Sequence, residues 1–523
     1  MTRTSMTRTG DVVADRAELR SRSVAGLGWM GLSAAWQAVL QVVVLAALAR
    51  LVAPAQFGLV SGALIVVAFT TIVAQCGLGT AIVQRPQLTE RHVRVGFTAG
   101  LLLAGVACLV LELLAPVVEH MFRLAGLTAI LRVLALVLVI NALTLSDYLL
   151  ARRVQFARLA AAEATAYALG YGAVAVLLAA FGLGAWAIVG GQLAQAALRV
   201  TLVTIMAPHS VRPSLARGPL RDLLGYGTGH TLAQLANSVA VLGDNVVVGR
   251  YLGAAALGLY GRAYQLVTAP ATLFGQVANE VLFPAMAAVQ DDKASLRRVY
   301  GTGAALLAVV ALPISSLCAV TSEQLVRVVL GPEWLPLRDA FDVILFGMLF
   351  RTGYKLSDSL ARATGAVYRR AWRQGIYASC VVVGALIGQR WGIRGVAVGV
   401  LLALLENYAL MAHLSLSLIG MSWSAYLARH VPGVVVSVVA AVAALAARTA
   451  GEALHLPVVA VLCSSWLAGI VAVLALLRLA PGIPLLRTVT ALVGETGRLL
   501  PPGASRVLER LVGRRCTTSV AAR

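Results

Sequence analysis

Residues 50–59 read Arg-Leu-Val-Ala-Pro-Ala-Gln-Phe-Gly-Leu, and residues 250–259 read Arg-Tyr-Leu-Gly-Ala-Ala-Ala-Leu-Gly-Leu. Four of the ten positions are identical across an offset of 200 residues, and each segment joins two long apolar runs. Each segment begins with an arginine at the end of one run and places a glycine near the start of the next. Repeated halves with a site between them are a common plan of secondary transporters. The sequence therefore predicts a membrane protein built from two related halves.

The composition supports a membrane protein. Of the 523 residues, 59% are hydrophobic and only 12% are charged, whereas a soluble domain carries roughly 25% charged residues. A membrane-spanning helix needs about 20 mostly apolar residues, and that rule predicts about 14 spans here. We therefore expect an all-α polytopic protein with two pseudo-symmetric six-helix lobes and two further helices at the C-terminal end.

The expected organisation follows from where the apolar runs stop. It comprises a cytoplasmic N-terminal tail at 1–23, a first lobe at 24–207, a cytoplasmic linker at 208–224, a second lobe at 225–419, two further spans at 430–478 and a cytoplasmic basic amphipathic tail at 479–523.

The basic residues alternate from loop to loop. The loops at 84–95, 150–158 and 289–299 and the linker at 208–224 each carry three arginines or lysines, and the loops that alternate with them carry two at most. By the positive-inside rule, we expect the arginine-rich loops and both termini to lie on the cytoplasmic side of the membrane, which we expect to be a bacterial cytoplasmic membrane. We call the arginine-poor end the predicted outer end. This placement accounts for the net charge of +21, and no nucleic-acid partner is expected.

Polar side chains recur along one face of the first helix in each half. Spacings of i, i+4, i+7 and i+14 in the seventh span place its polar residues on a shared face. We interpret these stripes as the lining of a central cavity; hydrogen bonding between packed helices is the alternative. The predicted lining residues on these stripes are Gln37, Gln41, His230, Gln234 and Asn237, and the eighth span adds Gln276.

The tenth span carries two basic residues one turn apart, Arg351 and Lys355, followed by Asp358. A guanidinium and an ammonium suit phosphate oxygens, so we predict that this pair holds an anionic headgroup. The alternative is an internal ion pair of either base with Asp358.

Three acids within the spans, Asp244, Asp342 and Glu406, are candidates for binding a coupling cation. Ionisable groups at membrane depth often mark transport pathways. Structural pairing is the alternative for each of them, with Arg250 as the partner of Asp244.

Enzyme motifs are missing from the sequence. It contains neither a glycine-rich phosphate loop with lysine, nor a metal-spaced His/Cys cluster, nor a nucleophile elbow, and its six cysteines show no paired spacing. We therefore expect a protein that is not an enzyme and that needs no cofactor or metal.

Several motifs resemble those of a known family. Residues 49–58 and 77–85 resemble the N-terminal signatures of WzxC-like polysaccharide flippases, of the multidrug/oligosaccharidyl-lipid/polysaccharide exporter superfamily. Similar second-half signatures occur at Asp244-Asn245, Gly249-Arg250, 257–260, 262–264, 283–285, 331–334 and 392–397. The resemblance covers residues 20 to 420.

The resemblance implies two lobes facing each other across a V-shaped cavity. It also implies translocation of undecaprenyl-diphosphate-linked oligosaccharide repeat units by alternating access, in the biosynthesis of a lipopolysaccharide, exopolysaccharide, capsule or teichuronic-type polymer. The implied partners are the lipid-linked glycan, membrane lipid, and a polysaccharide polymerase with its export machinery. The alternatives are a cation-coupled multidrug antiporter of the same fold, a lipid II flippase and a non-transporting membrane scaffold.

Overall fold

The computed structural model describes residues 37–85, 87–153, 155–277 and 282–479, and every regular element within these ranges is helical. The side chains of residues 224, 226–230, 233, 269–277 and 479 are not described. The predicted tails and the first part of the first span lie outside the described residues.

The first half of the chain forms nine α-helices and one π-helical stretch, which continues α7 into α8. They are α1 (Gln37–Leu51), α2 (Pro54–Gln75), α3 (Leu78–Gln84), α4 (Glu90–Phe122), α5 (Leu127–Ala142), α6 (Leu145–Arg152), α7 (Phe156–Thr165), the π-helix Ala166–Ala173, α8 (Val174–Ala180) and α9 (Ala185–Met206).

The second half and the C-terminal helices contribute eleven α-helices, with 3₁₀ turns at Pro332–Leu337 and Gln389–Trp391. The helices are α10 (Arg217–Val277), α11 (Phe283–Ala288), α12 (Lys293–Val320), α13 (Ser322–Val329), α14 (Arg338–Phe346), α15 (Met348–Ala363), α16 (Val367–Gly388), α17 (Gly392–Ile419), α18 (Trp423–Ala428), α19 (Val431–Ala453) and α20 (Val458–Leu479).

Local chemistry accounts for several helix ends. Pro54 opens α2 at a position where its missing N–H leaves no intrahelical bond unmade. The Asp292 carboxylate caps α12 by accepting hydrogen bonds from the backbone N–H groups of Ala294 (2.9 Å) and Ser295 (3.2 Å). A hydrogen bond from the Ser295 side chain, together with these two backbone hydrogen bonds, lowers the pKa of the Asp292 carboxyl.

The long helix α10 contains a chain reversal. The Tyr260 hydroxyl donates a 2.8 Å hydrogen bond to the Asp244 carboxylate, although residues 16 apart in a continuous helix would be separated by roughly 24 Å. The backbone leaves helical geometry at Gly253, where φ is +86°. Helix α10 therefore supplies two antiparallel helices, which correspond to the predicted seventh and eighth spans.

Nine helices in the described part of the chain are long and apolar enough to cross a bilayer, and the α5–α6 pair, bent by 40°, makes ten. One of the nine covers both α16 and α17, and another runs through the reversal at Gly253. Helix lies at every predicted span that the structure describes. The total of 14 spans and their grouping into two lobes stay predictions.

The two halves share one core at the predicted outer end and have separate cores at the opposite end. The largest buried cluster combines side chains of both halves, among them Phe57, Leu257 and Trp334. A second cluster, which includes Ile82, belongs to the first half and the linker, and a third, which includes Tyr300, belongs to the second half. Among the described residues, the largest core therefore joins the two halves, and each of the two smaller cores belongs to one side of the chain.

Polar contacts reinforce the shared core. The Arg50 guanidinium donates a 2.7 Å hydrogen bond to the carbonyl of Val328. The Trp334 indole N–H donates a 2.8 Å hydrogen bond to the carbonyl of Ala49, and its ring meets Phe57 edge-on with centroids 5.3 Å apart. Each contact joins the first half to the second.

The linker packs on the first half at the arginine-rich end. His209 lies 3.0 Å from the Ser146 hydroxyl and meets the Phe97 ring edge-on at 5.2 Å. Farther along the linker, Asp222 pairs with Arg85 at 2.8 Å.

Candidate functional site

Arg351 lies in an aromatic cluster formed by three helices of the second half. The reversal in α10 places Asp244 beside Tyr260 and Tyr264, α15 contributes Arg351, and α16 contributes Tyr377. The Arg351 guanidinium lies over the Tyr264 ring, 4.0 Å from its centroid. Asp244 is 1% exposed and Tyr260 is fully buried, and both Asp244 and Tyr377 lie near enough to interact electrostatically with Arg351.

Two donors of Arg351 are available for a ligand. Its Nε and Nη2 atoms are buried and have no hydrogen-bond partner among the described residues. These two nitrogens form one edge of the planar guanidinium, and such an edge suits the bidentate geometry of a carboxylate or phosphate. Stacking on Tyr264 fixes the plane of the guanidinium. The cluster is therefore a preorganised candidate site for an oxyanion.

The structure does not pair Arg351 with Asp358, which was the alternative to a headgroup site. The Asp358 carboxylate pairs with Arg362 at 3.1 Å and with Arg370. Lys355 lies one turn from Arg351 and is partly buried. The two predicted headgroup residues therefore lie close together, and the acid that follows them is held by other arginines.

The polar stripes are only partly described. Gln37 and Gln41 on α1 are partly buried, and Gln234 and Asn237 on α10 are exposed. The exposure of Gln234 and Asn237 is consistent with the wall of a water-filled cavity and equally with a surface that contacts other molecules. The side chains of His230 and Gln276 lie outside the described part, so the predicted cavity lining stays a prediction.

The three candidate acids lie in different surroundings. Asp244 accepts hydrogen bonds from Tyr260 and from its neighbour Asn245 instead of pairing with Arg250. Asp342 lies 3.9 Å from Arg338, its helical neighbour one turn away. It faces a charged pocket at the predicted outer end, whereas Glu406 faces an apolar groove between α16 and α17. The structure does not bring the acids together.

Sequence reasoning missed the role of Arg262. In the sequence it was noted only as part of the family motif at 262–264. In the structure its guanidinium lies over the Phe57 ring, 4.5 Å from the centroid, and its Nε atom is buried without a hydrogen-bond partner among the described residues. Arg262 therefore lies between the two halves. The signal was the motif Arg262-Ala263-Tyr264, which also contains the tyrosine that stacks on Arg351.

Among the described residues, no three His, Cys, Asp or Glu side chains are grouped so that they could hold one metal ion.

Comparisons with solved structures place the fold. The chain is similar to the lipid II flippase MurJ in an inward closed conformation, with a TM-score of 0.67 and 10% identity, over 84% of this chain and 97% of that one. It is also similar to an inward-facing multidrug resistance MATE family transporter of the MOP superfamily. That likeness has a TM-score of 0.59 and 14% identity, over 74% of this chain and 96% of the other. Both are polytopic membrane transporters, so the likeness establishes the general fold.

Comparisons with curated proteins point to polysaccharide biosynthesis. The chain is 24% identical over 417 residues to the lipopolysaccharide biosynthesis protein WzxC of Escherichia coli (strain K12), covering 78% of this chain and 84% of that protein. It is 24% identical over 400 residues to the teichuronic acid biosynthesis protein TuaB of Bacillus subtilis (strain 168), covering 70% and 81%. The predicted resemblance to WzxC-like proteins is confirmed. Residues 47–339 match the model of the polysaccharide biosynthesis protein family, and the chain belongs to that family.

Proposed function

We propose that this protein translocates undecaprenyl-diphosphate-linked oligosaccharide repeat units across the bacterial cytoplasmic membrane for the synthesis of a surface polysaccharide. Membership of the polysaccharide biosynthesis family supports the substrate class. The observation that carries the proposal is the edge of Arg351 that has no hydrogen-bond partner among the described residues, because a diphosphate is an oxyanion that such an edge binds in two places. In such a lipid-linked oligosaccharide, the diphosphate lies between the sugar and the lipid tail.

The distribution of the core supports alternating access between the two halves. The halves share a packed core at the predicted outer end and have separate cores at the arginine-rich end. A gap that opens on one side exposes Arg351 to substrate from that side, and rocking about the shared contacts moves the opening to the other. The sugar then contacts the polar stripes of α1 and α10 while the lipid tail remains in the bilayer.

Membrane potential favours the proposed direction. Outward movement of negative charge runs with an inside-negative potential, which contributes roughly 2.3 kcal/mol per charge per 100 mV. A diphosphate is therefore driven outward unless a co-transported cation cancels its charge. Binding of a cation at Asp244, Asp342 or Glu406 stays a separate proposal, tested by dependence of transport on sodium or proton gradients.

The fold by itself does not separate this proposal from its rivals, because lipid II flippases and multidrug transporters share it. A multidrug antiporter needs accessible acids in its cavity to bind organic cations. Asp244 instead is buried and accepts a hydrogen bond from Tyr260. The side chain whose polar atoms lack a hydrogen-bond partner among the described residues of this cluster is the positively charged Arg351. The charge of the candidate site thus favours an anionic substrate.

The test is transport of a fluorescent undecaprenyl-diphosphate oligosaccharide in proteoliposomes, with and without an imposed potential. Loss of charged hydrogen bonds weakens binding by about 1.5–3 kcal/mol, so we expect Arg351→Ala to reduce transport about tenfold to a hundredfold. Arg351→Lys keeps the charge but loses the bidentate edge, and we expect an intermediate loss. Arg448→Ala is the matched control, because Arg448 pairs with Glu452 away from the cluster.

The outcomes separate the alternatives. Transport by the wild type with no loss in Arg351→Ala keeps the function and removes the headgroup site. No transport of any lipid-linked glycan, together with proton-coupled uptake of organic cations, identifies an antiporter. Transport of lipid II alone identifies a peptidoglycan flippase.

A further inference from the structure

Helices α16 and α17 form a tight hairpin with a groove along its seam. The hairpin is close because glycines face each other: a Cβ on Gly399 would lie 2.3 Å from the Gly384 carbonyl oxygen, and a Cβ on Gly388 would lie 2.2 Å from that of Gly395. The groove beside this contact has a volume of about 700 Å³. It runs from Trp391, at the turn of the hairpin, to Glu406.

The walls of the groove are apolar and suit the interior of a bilayer. Its apolar lining is exposed, with Val383 at 52%, Ile387 at 56% and Leu402 at 60% of full side-chain exposure. Both helices belong to a segment apolar enough to span a membrane. Exposed apolar side chains in the middle of such a segment meet lipid tails, because that is the surrounding solvent at this depth.

Glu406 closes the deep end of the groove. It is the fifteenth of the 28 residues of α17 and so lies near the middle of the span. Its Oε2 atom is buried and has no hydrogen-bond partner among the described residues. The titratable group that faces it across the groove is the Cys380 thiol, and Arg394 lies 12 residues away on the same helix, about 18 Å along its axis.

We propose that Glu406 is a proton-binding site that opens to the bilayer through the groove between α16 and α17. An ionised carboxylate at membrane depth with no cation beside it is strongly unfavourable, so the carboxyl holds a proton there. The groove gives small apolar molecules a route to this acid. The site is separate from the Arg351 cluster and does not depend on the proposed transport function.

A hydrophobic carbodiimide is the probe that this chemistry selects. The protonated carboxyl adds across one C=N bond: its oxygen bonds to the central carbon, and its proton moves to a nitrogen. The O-acylisourea formed in this way rearranges by an O-to-N acyl shift to a stable N-acylurea. No group leaves, so the protein gains the full mass of the reagent. An ionised carboxylate in water is instead reached by a water-soluble carbodiimide.

The test uses the full-length protein in liposomes, treated with dicyclohexylcarbodiimide and analysed by peptide mass spectrometry. We expect an adduct on the peptide that contains Glu406, loss of this adduct in Glu406→Gln, and faster labelling as the pH falls. We also expect a water-soluble carbodiimide, given together with glycine ethyl ester, to convert the exposed Glu333 to an amide with release of the urea, and to spare Glu406. Failure of the hydrophobic reagent to label Glu406, or labelling of Glu406 and Glu333 at equal rates by the water-soluble reagent, would overturn the proposal.

A pair of tryptophan variants tests the groove without altering the acid. Leu402 lines the groove, whereas Leu405 on the same helix does not, and both side chains are exposed. We expect Leu402→Trp to slow labelling of Glu406 at least tenfold and Leu405→Trp to leave its rate unchanged. Equal labelling of the two variants would show that the reagent does not arrive through the groove.

Discussion

Gly58 of α2 and Gly258 of α10 meet each other in a reciprocal backbone contact where the two halves join. A Cβ on Gly58 would lie 1.7 Å from the Ala254 carbonyl oxygen, and a Cβ on Gly258 would lie 2.0 Å from the Pro54 carbonyl oxygen. Pro54 and Ala254 are equivalent positions across the 200-residue offset. The contact therefore has the self-complementary form of a two-fold interface, and the segments that are similar in sequence also touch each other.

The first prediction concerns this contact. Gly58→Ala or Gly258→Ala places a methyl group inside the space of a carbonyl, so the helices must separate. Overpacking of this kind costs about 1–3 kcal/mol, and we expect a lower thermal unfolding midpoint in detergent for either variant. The control is Gly105→Ala on α4, where nothing lies within 4 Å of the new methyl group. Equal midpoints for wild type and Gly58→Ala would show that the contact is looser than described.

The second prediction concerns the hydrogen bond between the Trp334 indole and the Ala49 carbonyl. Trp334→Phe keeps an aromatic ring beside Phe57 but leaves the buried carbonyl of Ala49 without its donor, which costs about 1–3 kcal/mol. Because the bond joins the two halves, we expect this variant to open the predicted outer end more often. A faster reaction of a cysteine introduced at Val52, which is 2% exposed and lies in the shared core, with a membrane-impermeant thiol reagent measures that opening.

Trp466→Phe is the control for this variant. The Trp466 indole donates a 3.1 Å hydrogen bond to the Thr321 hydroxyl, between C-terminal helix α20 and the start of α13. Its loss lowers stability without acting on the contact between the halves. A similar rise in cysteine reactivity in both tryptophan variants would contradict the assigned role of Trp334.

The third prediction concerns the pH dependence of the linker contact. Burial lowers the pKa of His209 from its ordinary value of 6.5, so the folded protein binds this proton less readily than the unfolded chain. The contribution to stability is complete above about pH 6.5 and decreases as the pH falls towards the folded pKa. Its slope is at most about 1.4 kcal/mol per pH unit for one proton.

The measurement compares thermal midpoints from pH 7.5 to pH 5. We expect wild type to lose more stability on acidification than His209→Gln, which has no ring to protonate against Phe97 and Ser146. His120→Gln is the control, because His120 is exposed on α4. A pH profile of His209→Gln that matches the wild type would assign the acid sensitivity to other groups.

The residues themselves determined the class of protein. Runs of about 20 apolar residues leave the backbone no stable form in a bilayer except hydrogen-bonded helix, so helices could be placed from composition alone. Local chain geometry was also readable: the chain reverses at Gly253, within the segment 250–259 that was predicted to join two apolar runs. The motifs around Arg50 and Arg250 were sufficient to predict the family.

The candidate site depended on tertiary structure. Arg351 and Asp358 are seven residues apart and therefore lie on the same face of the helix. This spacing fits an internal ion pair as well as it fits a headgroup site. Arg370, from the next helix, pairs with Asp358, and Tyr264, from α10, stacks on Arg351. Arg370 and Tyr264 both lie on other helices. The spacing along α15 alone therefore could not decide between an internal ion pair and a headgroup site.

The sequence alone therefore determined that this chain is helical, spans a membrane and belongs to its family, because these properties follow from local apolarity and from motifs within short segments. Only the tertiary structure decided that Gly58 touches Gly258, that Arg262 lies between the halves, and that one edge of Arg351 has no hydrogen-bond partner in the described part of the chain. Those outcomes depend on which side chains of distant helices reach the same space, and packing against distant helices is not encoded in the spacing of residues along any one of them.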